Sequence, residues 1–377
     1  MGPIIILDKS VFESLSWREH RELDDHFMEN LTPILGMELL GDLAKQGRGT
    51  RTADELVTEL SHKFGGGSGP CANVDFWQMC RASLMGAKVT MDGRICPQNM
   101  TTFPAEGGGC GALIDIAPIN DAIMRWADGQ FDEFERLVAG QWRQVTRSLD
   151  QESFERQLEG HAVILPTGAS PTDVARRADY LLSKSCLQDV WLDWWLEQLA
   201  LGASEERLVR RRWVAQRKGG FEKFAPYAAY CVRALFLLLV FTRNGIVKWL
   251  PTNLLDVQYL YYAPFCHVFS SNDNLHSVMA PHVLRQDQMF IPGTSLKSDL
   301  RRLADRRDAL DEEELVGELF ALGDRPPPHA ESVVHQAWQR YMRPWSPSMA
   351  NRASGLPVET QQKAIDRARQ MFEEAEL

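Results

Sequence analysis

At 377 residues the chain is long enough for two domains, or for one domain with a large insertion. Its 44% hydrophobic and 24% charged residues are an ordinary soluble globular composition, able to bury a large core. The formal net charge of −10 argues against a general nucleic-acid coat, while leaving room for a local basic patch that grips phosphate.

Seven cysteines, an odd number without a framework spacing, point to a reducing compartment. The opening apolar run Ile4-Ile5-Ile6-Leu7 has neither a basic segment before it nor a cleavage site after it. Met1-Gly2 is followed by Ile6 where a myristoylation signal carries Ser or Thr. The most apolar stretch, 234–241, lies between Arg233 and Arg243, far short of the roughly 20 residues of a membrane span. A cytoplasmic protein without membrane contact is the expectation.

In chain order, Ile4-Ile5-Ile6-Leu7 suits a central parallel strand buried on both faces. It ends in Asp8-Lys9-Ser10, so a carboxylate follows directly on a strand; a helix N-cap or a solvated loop acid is the plainer reading of Asp8. Residues 11–27 show helical spacing through Phe12, Leu15, Leu23 and Phe27. Thr32 as N-cap and Pro33 in the first turn then start a helix that carries Glu38 among Met37, Leu39 and Leu40.

Residues 46–227 differ in texture. The glycine-rich stretches 65–70 and 107–109 read as loops, not as phosphate-binding loops, since neither is followed by Gly-Lys-Ser/Thr. Cys71, Cys80, Cys96 and Cys110 invite a zinc reading, but no pair has the short gap of structural sites, and buried free thiols are preferred. Residues 119–158 are amphipathic, 161–165 a strand or extended linker, and Pro171-Thr172-Asp173 opens further helices. Trp191, Trp194 and Trp195 read as core. Within 207–223, Arg207, Arg210, Arg211, Arg212, Arg217, Lys218 and Lys223 alternate with Trp213 and Phe221. Guanidinium forks and stacking rings suit single-stranded RNA; a solvated face paired with Glu205, Glu206 and Glu222 is the competing reading.

The apolar stretch 227–241 is a packing helix that ends at Asn244-Gly245. The segment 256–276 reads as a helix bearing Asp256, a turn at Pro264, a buried strand 265–269, and a polar loop that delivers Asp273. A helix to about 285, a strand at 288–291, helices at 296–303 and 311–322, a proline-rich linker at 324–328 and a polar helical tail complete the chain.

Asp8 and Asp273 thus belong at the C-terminal edge of one sheet, where open α/β folds build sites. Glu38 and Asp256 lie near the starts of helices packed on that edge. Clustered carboxylates repel one another unless a cation neutralises them. An all-oxygen set suits Mg²⁺ or Mn²⁺ rather than zinc.

These residues resemble the PIN-like nuclease family. Ile4-Ile5-Ile6-Leu7-Asp8-Lys9-Ser10 is similar to its opening strand with Asp-x-Asn/Ser/Thr, and Thr32-Pro33-Ile34-Leu35-Gly36-Met37-Glu38-Leu39 to its early-helix Glu-Leu. Asp256 and Ser271-Asn272-Asp273 match its third and fourth acids. The resemblance covers residues 1–45 and 228–300, and more than two hundred residues separate Glu38 from Asp256 where a compact member has far fewer.

It implies an α/β fold, a three-layer α/β/α sandwich with a central parallel sheet, interrupted by a large mainly helical insertion. The division would be a discontinuous core of 1–45 plus 228–325, an insertion of 46–227 and a helical tail of 326–377. It implies a Mg²⁺- or Mn²⁺-dependent ribonuclease with Asp8, Glu38, Asp256 and Asp273 as catalytic metal ligands. Ser10 and Ser271 would orient acids. His276 would either touch a scissile phosphate or, the reading preferred, sit on the surface. Arg210, Arg211, Arg212, Arg217 and Lys218 would clamp RNA, with DNA as a second substrate; Lys9 would turn to phosphate or solvent. A homo-oligomer or a protein inhibitor stays open. The competing reading is a non-catalytic PIN-like interaction protein that binds a partner through the insertion and tail.

Overall fold

The computed structural model describes residues 2–47, 50–65, 71–72, 74–95, 100–105, 109–114, 117–148, 150–216, 219–311, 314 and 326–342. Within them the fold is α/β around one all-parallel sheet. Its strands are β1 (Ile4–Leu7), β2 (Met28–Leu31), β3 (Cys71–Ala72), β6 (Val268–Ser271) and β7 (Met289–Pro292), in the order β3-β2-β1-β6-β7. β3 is a two-residue edge, so four strands form the body. A separate antiparallel hairpin joins β4 (Met100–Ala105) to β5 (Gly109–Ile114).

The β-branched run of β1 earns the centre of the sheet: Ile5 and Ile6 are fully buried between helical layers. The register Ile5↔Val268, Ile6↔Phe269 and Leu7↔Ser270 joins the two ends of the chain. One further rung, Asp8 N to Ser270 O at 3.1 Å, carries the ladder to the first acid.

Two local expectations shift. The single helix at 11–27 is two helices, Lys9–Ser14 and Trp17–His26. Ser16 interrupts them: its hydroxyl accepts from Glu19 N while Glu19 accepts from Ser16 N, a capping box that starts a new helix. The strand expected at 265–269 is displaced to Val268–Ser271, because Pro264 holds Ala263–Phe265 in a 3₁₀ turn.

Thr32 and Pro33 start the helix Pro33–Gly41 as expected, with Thr32 Oγ1 accepting from Leu35 N. The helix Pro226–Arg243 is buried almost all round. It is long and apolar enough to cross a membrane, but 67% of that stretch is buried inside the protein, so core packing accounts for its apolarity.

Residues 46–227 are less separate than an inserted domain. They supply β3 to the common sheet. Trp191, Trp194 and Trp195 belong to the same continuous core as Ile6 and Phe269. The hydrophobic surface of these helices therefore finds its partner in Pro226–Arg243 and Asn253–Tyr261, not in a core of its own. The amphipathic stretch 119–158 is three helices, Ala117–Ala127, Glu133–Ser148 and Gln151–Gly160. Most of both glycine-rich stretches (66–70 and 107–108), most of 311–325 and most of the tail lie outside the described residues; Val333–Tyr341 is helical.

Candidate four-carboxylate site

β1 and β6 end side by side, and an acid caps the helix after each, Asp8 directly after β1 and Asp273 with one residue between it and the end of β6. Asp8 caps Lys9–Ser14, its Oδ1 accepting from Val11 N at 3.0 Å and from Ser10 Oγ at 2.7 Å. Across the strand pair Ser271 Oγ donates to Asp8 Oδ2. Asp8 is only 4% exposed. Burial pushes its carboxyl up, but His276, Ser271 and the Val11 N–H outweigh it and hold the group below the ordinary value. Asp8 is thus an N-cap and a member of the cluster at once. Asp273 caps Asn274–Val283, its Oδ1 accepting from Leu275 N at 2.6 Å.

His276 is fully buried, which corrects the preferred surface reading and also removes it from contact with a substrate phosphate. Its Nε2 lies 2.7 Å from the Asp256 carbonyl oxygen, and its Nδ1 2.7 Å from Ser271 Oγ and 3.4 Å from Asp8 Oδ2. The partners fix the protons. A carbonyl only accepts, so Nε2 carries hydrogen. Ser271 Oγ receives the Asp273 N–H at 2.8 Å and gives its own hydrogen to Asp8, so it accepts from a protonated Nδ1 as well. These partners favour the charged ring; burial opposes that charge, but Asp8 and Asp256 raise the His276 pKa above its ordinary value.

Glu38, one turn into Pro33–Gly41, accepts from the Tyr259 hydroxyl. Burial raises its pKa, as do the charges of Asp42 and Asp8, against the pull of Tyr259 and Lys9. Tyr259 stands three residues beyond Asp256 on the helix Asn253–Tyr261, so one helical face supplies an acid and the anchor of another. That spacing was legible in the chain and was overlooked. Asp42 was likewise missed. Lys9 turns to Asp42 at 2.5 Å, to Glu13 and to the Glu38 carbonyl rather than to solvent.

Asp256 differs from the other three. Among the described residues no donor reaches its carboxylate. Burial pushes its pKa up to about 7; the His276 charge opposes this, and Asp273, Glu38 and Asp8 add to it. All four acids therefore share one electrostatic field, in which the ionised form of Asp256 is disfavoured. Their spacing is open: no three of them bring ligand oxygens within 4.8 Å of one another. A single ion with three of these acids as direct ligands needs closer oxygens, so an ion here would take part of its shell from water.

The basic segment divides. On the helix Ala203–Gln216, Arg210 pairs with Asp193 at 2.5 Å and Glu206 at 2.8 Å. Arg212 lies over the Phe224 ring at 4.1 Å and donates to the carbonyls of Leu84 and Phe224 at 2.8 Å, so it fastens helices together rather than presenting a fork to RNA. Arg211 is exposed. Arg217 and Lys218 lie outside the described residues, as does Cys96. Cys80 is a buried free thiol beside Cys231, which supports the preferred reading at that position. The side chains of Cys71 and Cys110 are not among those described.

Set against known proteins, the chain matches no family model, no characterised protein and no solved structure.

Proposed function

We propose that the chain is a PIN-like, cation-dependent ribonuclease, with its parallel sheet as the middle layer of an α/β/α sandwich. The observation that carries this reading is the Asp256 carboxylate, half-buried without a donor and held among the charges of Asp8, Glu38 and Asp273. An all-oxygen donor set with surplus negative charge fits Mg²⁺ or Mn²⁺. Asp256 and Asp273 are the open ligands; Asp8 and Glu38 complete the set, directly or through water. A divalent cation there supplies Lewis-acid polarisation of a phosphodiester oxygen and a water of lowered pKa. The chain's own part is to hold the ligands still. Ser10, Ser271 and His276 fix Asp8, and Tyr259 fixes Glu38.

The test is cleavage of single-stranded RNA in Mn²⁺, against EDTA and against Asp8→Asn and Asp273→Asn. Cleavage that needs the ion and falls at least about 100-fold in either variant supports the reading, the scale expected when a principal electrostatic contributor is removed. A wild type inactive on RNA and DNA that binds no divalent ion refutes it.

One observation favours the second reading, a non-catalytic PIN-like interaction protein. Two protein cations, His276 and Lys9, already stand among the acids, on Asp8 and Asp42. In that case the imidazolium replaces the metal as counter-charge, and no divalent ion binds.

A further inference from the structure

A second group of ionisable side chains lies near the opposite end of the sheet. His20 is on the helix Trp17–His26, Asp24 one turn later, and Glu29 on β2. Glu29 pairs with Ile5, three residues and about 10 Å of strand before Asp8. The ligand atoms of His20, Asp24 and Glu29 all lie within 4.8 Å of one another, the one such group among the described residues.

His20 is the informative member. It is 1% exposed, and neither ring nitrogen has a hydrogen-bond partner of ordinary geometry. The Lys63 carbonyl approaches the ring without closing a bond. Nε2 aims between the two acids, 3.4 Å from Glu29 Oε1 and 3.8 Å from Asp24 Oδ1. Glu29 Oε1 is itself buried and unpartnered. A buried imidazole and carboxylate left unsatisfied in this way are costly, so a ligand that satisfies both has a standing advantage.

The distances discriminate between ligands. An N–H···O bond runs about 2.7–3.2 Å, shorter than either contact. Two ligands on a tetrahedral Zn²⁺, each about 2.1 Å from the metal, stand about 3.4 Å apart. The spacing is that of a coordination edge. Both ring nitrogens are unbonded, so a lone pair is free for an ion, and the Lys63 ammonium stands close by. Lys63 cannot swing away, since its Nζ donates to the carbonyls of Phe12, Glu13 and Leu15. The Phe12 ring closes the other side, edge-on at 5.4 Å. Asp24 and Glu29 stand within hydrogen-bonding reach of each other, and burial raises both carboxyls, with the charge of Asp25 adding at Asp24 and that of Asp24 adding at Glu29. The Asp24 side chain is 35% exposed, which leaves a path for entry and a position for water.

We propose that His20, Asp24 and Glu29 form a mononuclear site for a divalent transition ion, Zn²⁺ by preference, with a fourth position open to solvent. An imidazole nitrogen beside two carboxylates selects a borderline ion over Mg²⁺, which demands oxygen and holds its water. Such an ion clamps the helix Trp17–His26 onto β2. The site stands apart from the ribonuclease reading and does not rest on it.

The test titrates the full chain, freed of metal by chelator, with Zn²⁺ by calorimetry and with Co²⁺ by visible absorption. One equivalent binds the wild type, shows cobalt bands without thiolate charge transfer, and survives excess Mg²⁺. His20→Gln weakens it at least about 100-fold, the upper end of what even indirect metal partners cost when removed. Asp24→Asn, at a partly exposed position that tolerates change, weakens it too, so the test stands should His20→Gln fail to fold. Asp256→Asn keeps the equivalent. Absence of the equivalent in wild type marks a proton-sharing carboxyl pair and overturns the proposal. A thiolate signature, displacement by Mg²⁺ or full retention in both His20→Gln and Asp24→Asn overturns it equally.

Discussion

The His276 ring, fully buried, stands 3.4 Å from Asp8 Oδ2, with Ser271 Oγ bridging the pair. Two strands, the helix Asn274–Val283 and the helix Asn253–Tyr261 meet in that contact. Removing the ring takes the opposite charge from buried Asp8 and leaves the Asp256 carbonyl without its ring partner. His276→Gln should destabilise the fold by about 3 kcal/mol, the scale of breaking one partner of a buried pair. Urea unfolding measures it; a change under about 0.5 kcal/mol would show the imidazolium network to be incidental.

The pH dependence follows from Asp256. Its folded pKa of about 7 exceeds the ordinary 3.8, so between roughly pH 4 and 7 the folded state keeps a proton that the unfolded chain has released. Stability from this group is full below the ordinary value and is lost as pH rises through that window, by about 4 kcal/mol at most. His276, also raised, adds a loss in the same direction. In EDTA, Asp256→Asn should therefore melt above wild type at pH 8, with the gap closing near pH 4. An unchanged gap across the range would contradict the assigned burial of charge.

Tyr259→Phe removes one hydroxyl and almost no volume. Glu38 then loses its donor, and divalent-ion affinity at the acids should fall about 10-fold, as for other partners that orient a ligand. Calorimetric titration with Mn²⁺ checks this; undiminished affinity would place Glu38 outside the ligand set.

Two neighbouring arginines should behave oppositely. Arg212→Ala breaks a set of carbonyl bonds and a ring contact and should cost about 2 kcal/mol of stability. Arg211→Glu should leave stability within about 0.5 kcal/mol while weakening RNA binding and lowering its salt slope by about 1. Salt-dependent RNA binding that ignores Arg211→Glu would return this helix to a purely structural role.

The strand-then-acid order of Asp8 and Asp273, and the helical settings of Glu38 and Asp256, were legible in the chain because local pattern determines them: a β-branched run, a Thr-Pro start, an apolar helix. What tertiary contact decides was not. His276 looked like a surface residue because nothing local says that Asn274–Val283 turns that face onto Asp8. Arg212 looked like a phosphate fork because its carbonyl partners lie at Ser83, Leu84 and Phe224, remote in sequence. β3 escaped notice because two residues carry no periodicity, yet they draw 46–227 into the common sheet. Ser16 with Glu19 was a readable capping box, and was overlooked.

The most direct test of the four-acid account is Mn²⁺ binding followed by electron paramagnetic resonance at neutral pH, in wild type, in His20→Gln and in His20→Gln with Asp256→Asn added. The account predicts a bound-Mn²⁺ population that His20→Gln retains and the added Asp256→Asn loses. Bound Mn²⁺ that persists when Asp256→Asn is added to His20→Gln, or its absence from the wild type, would contradict it.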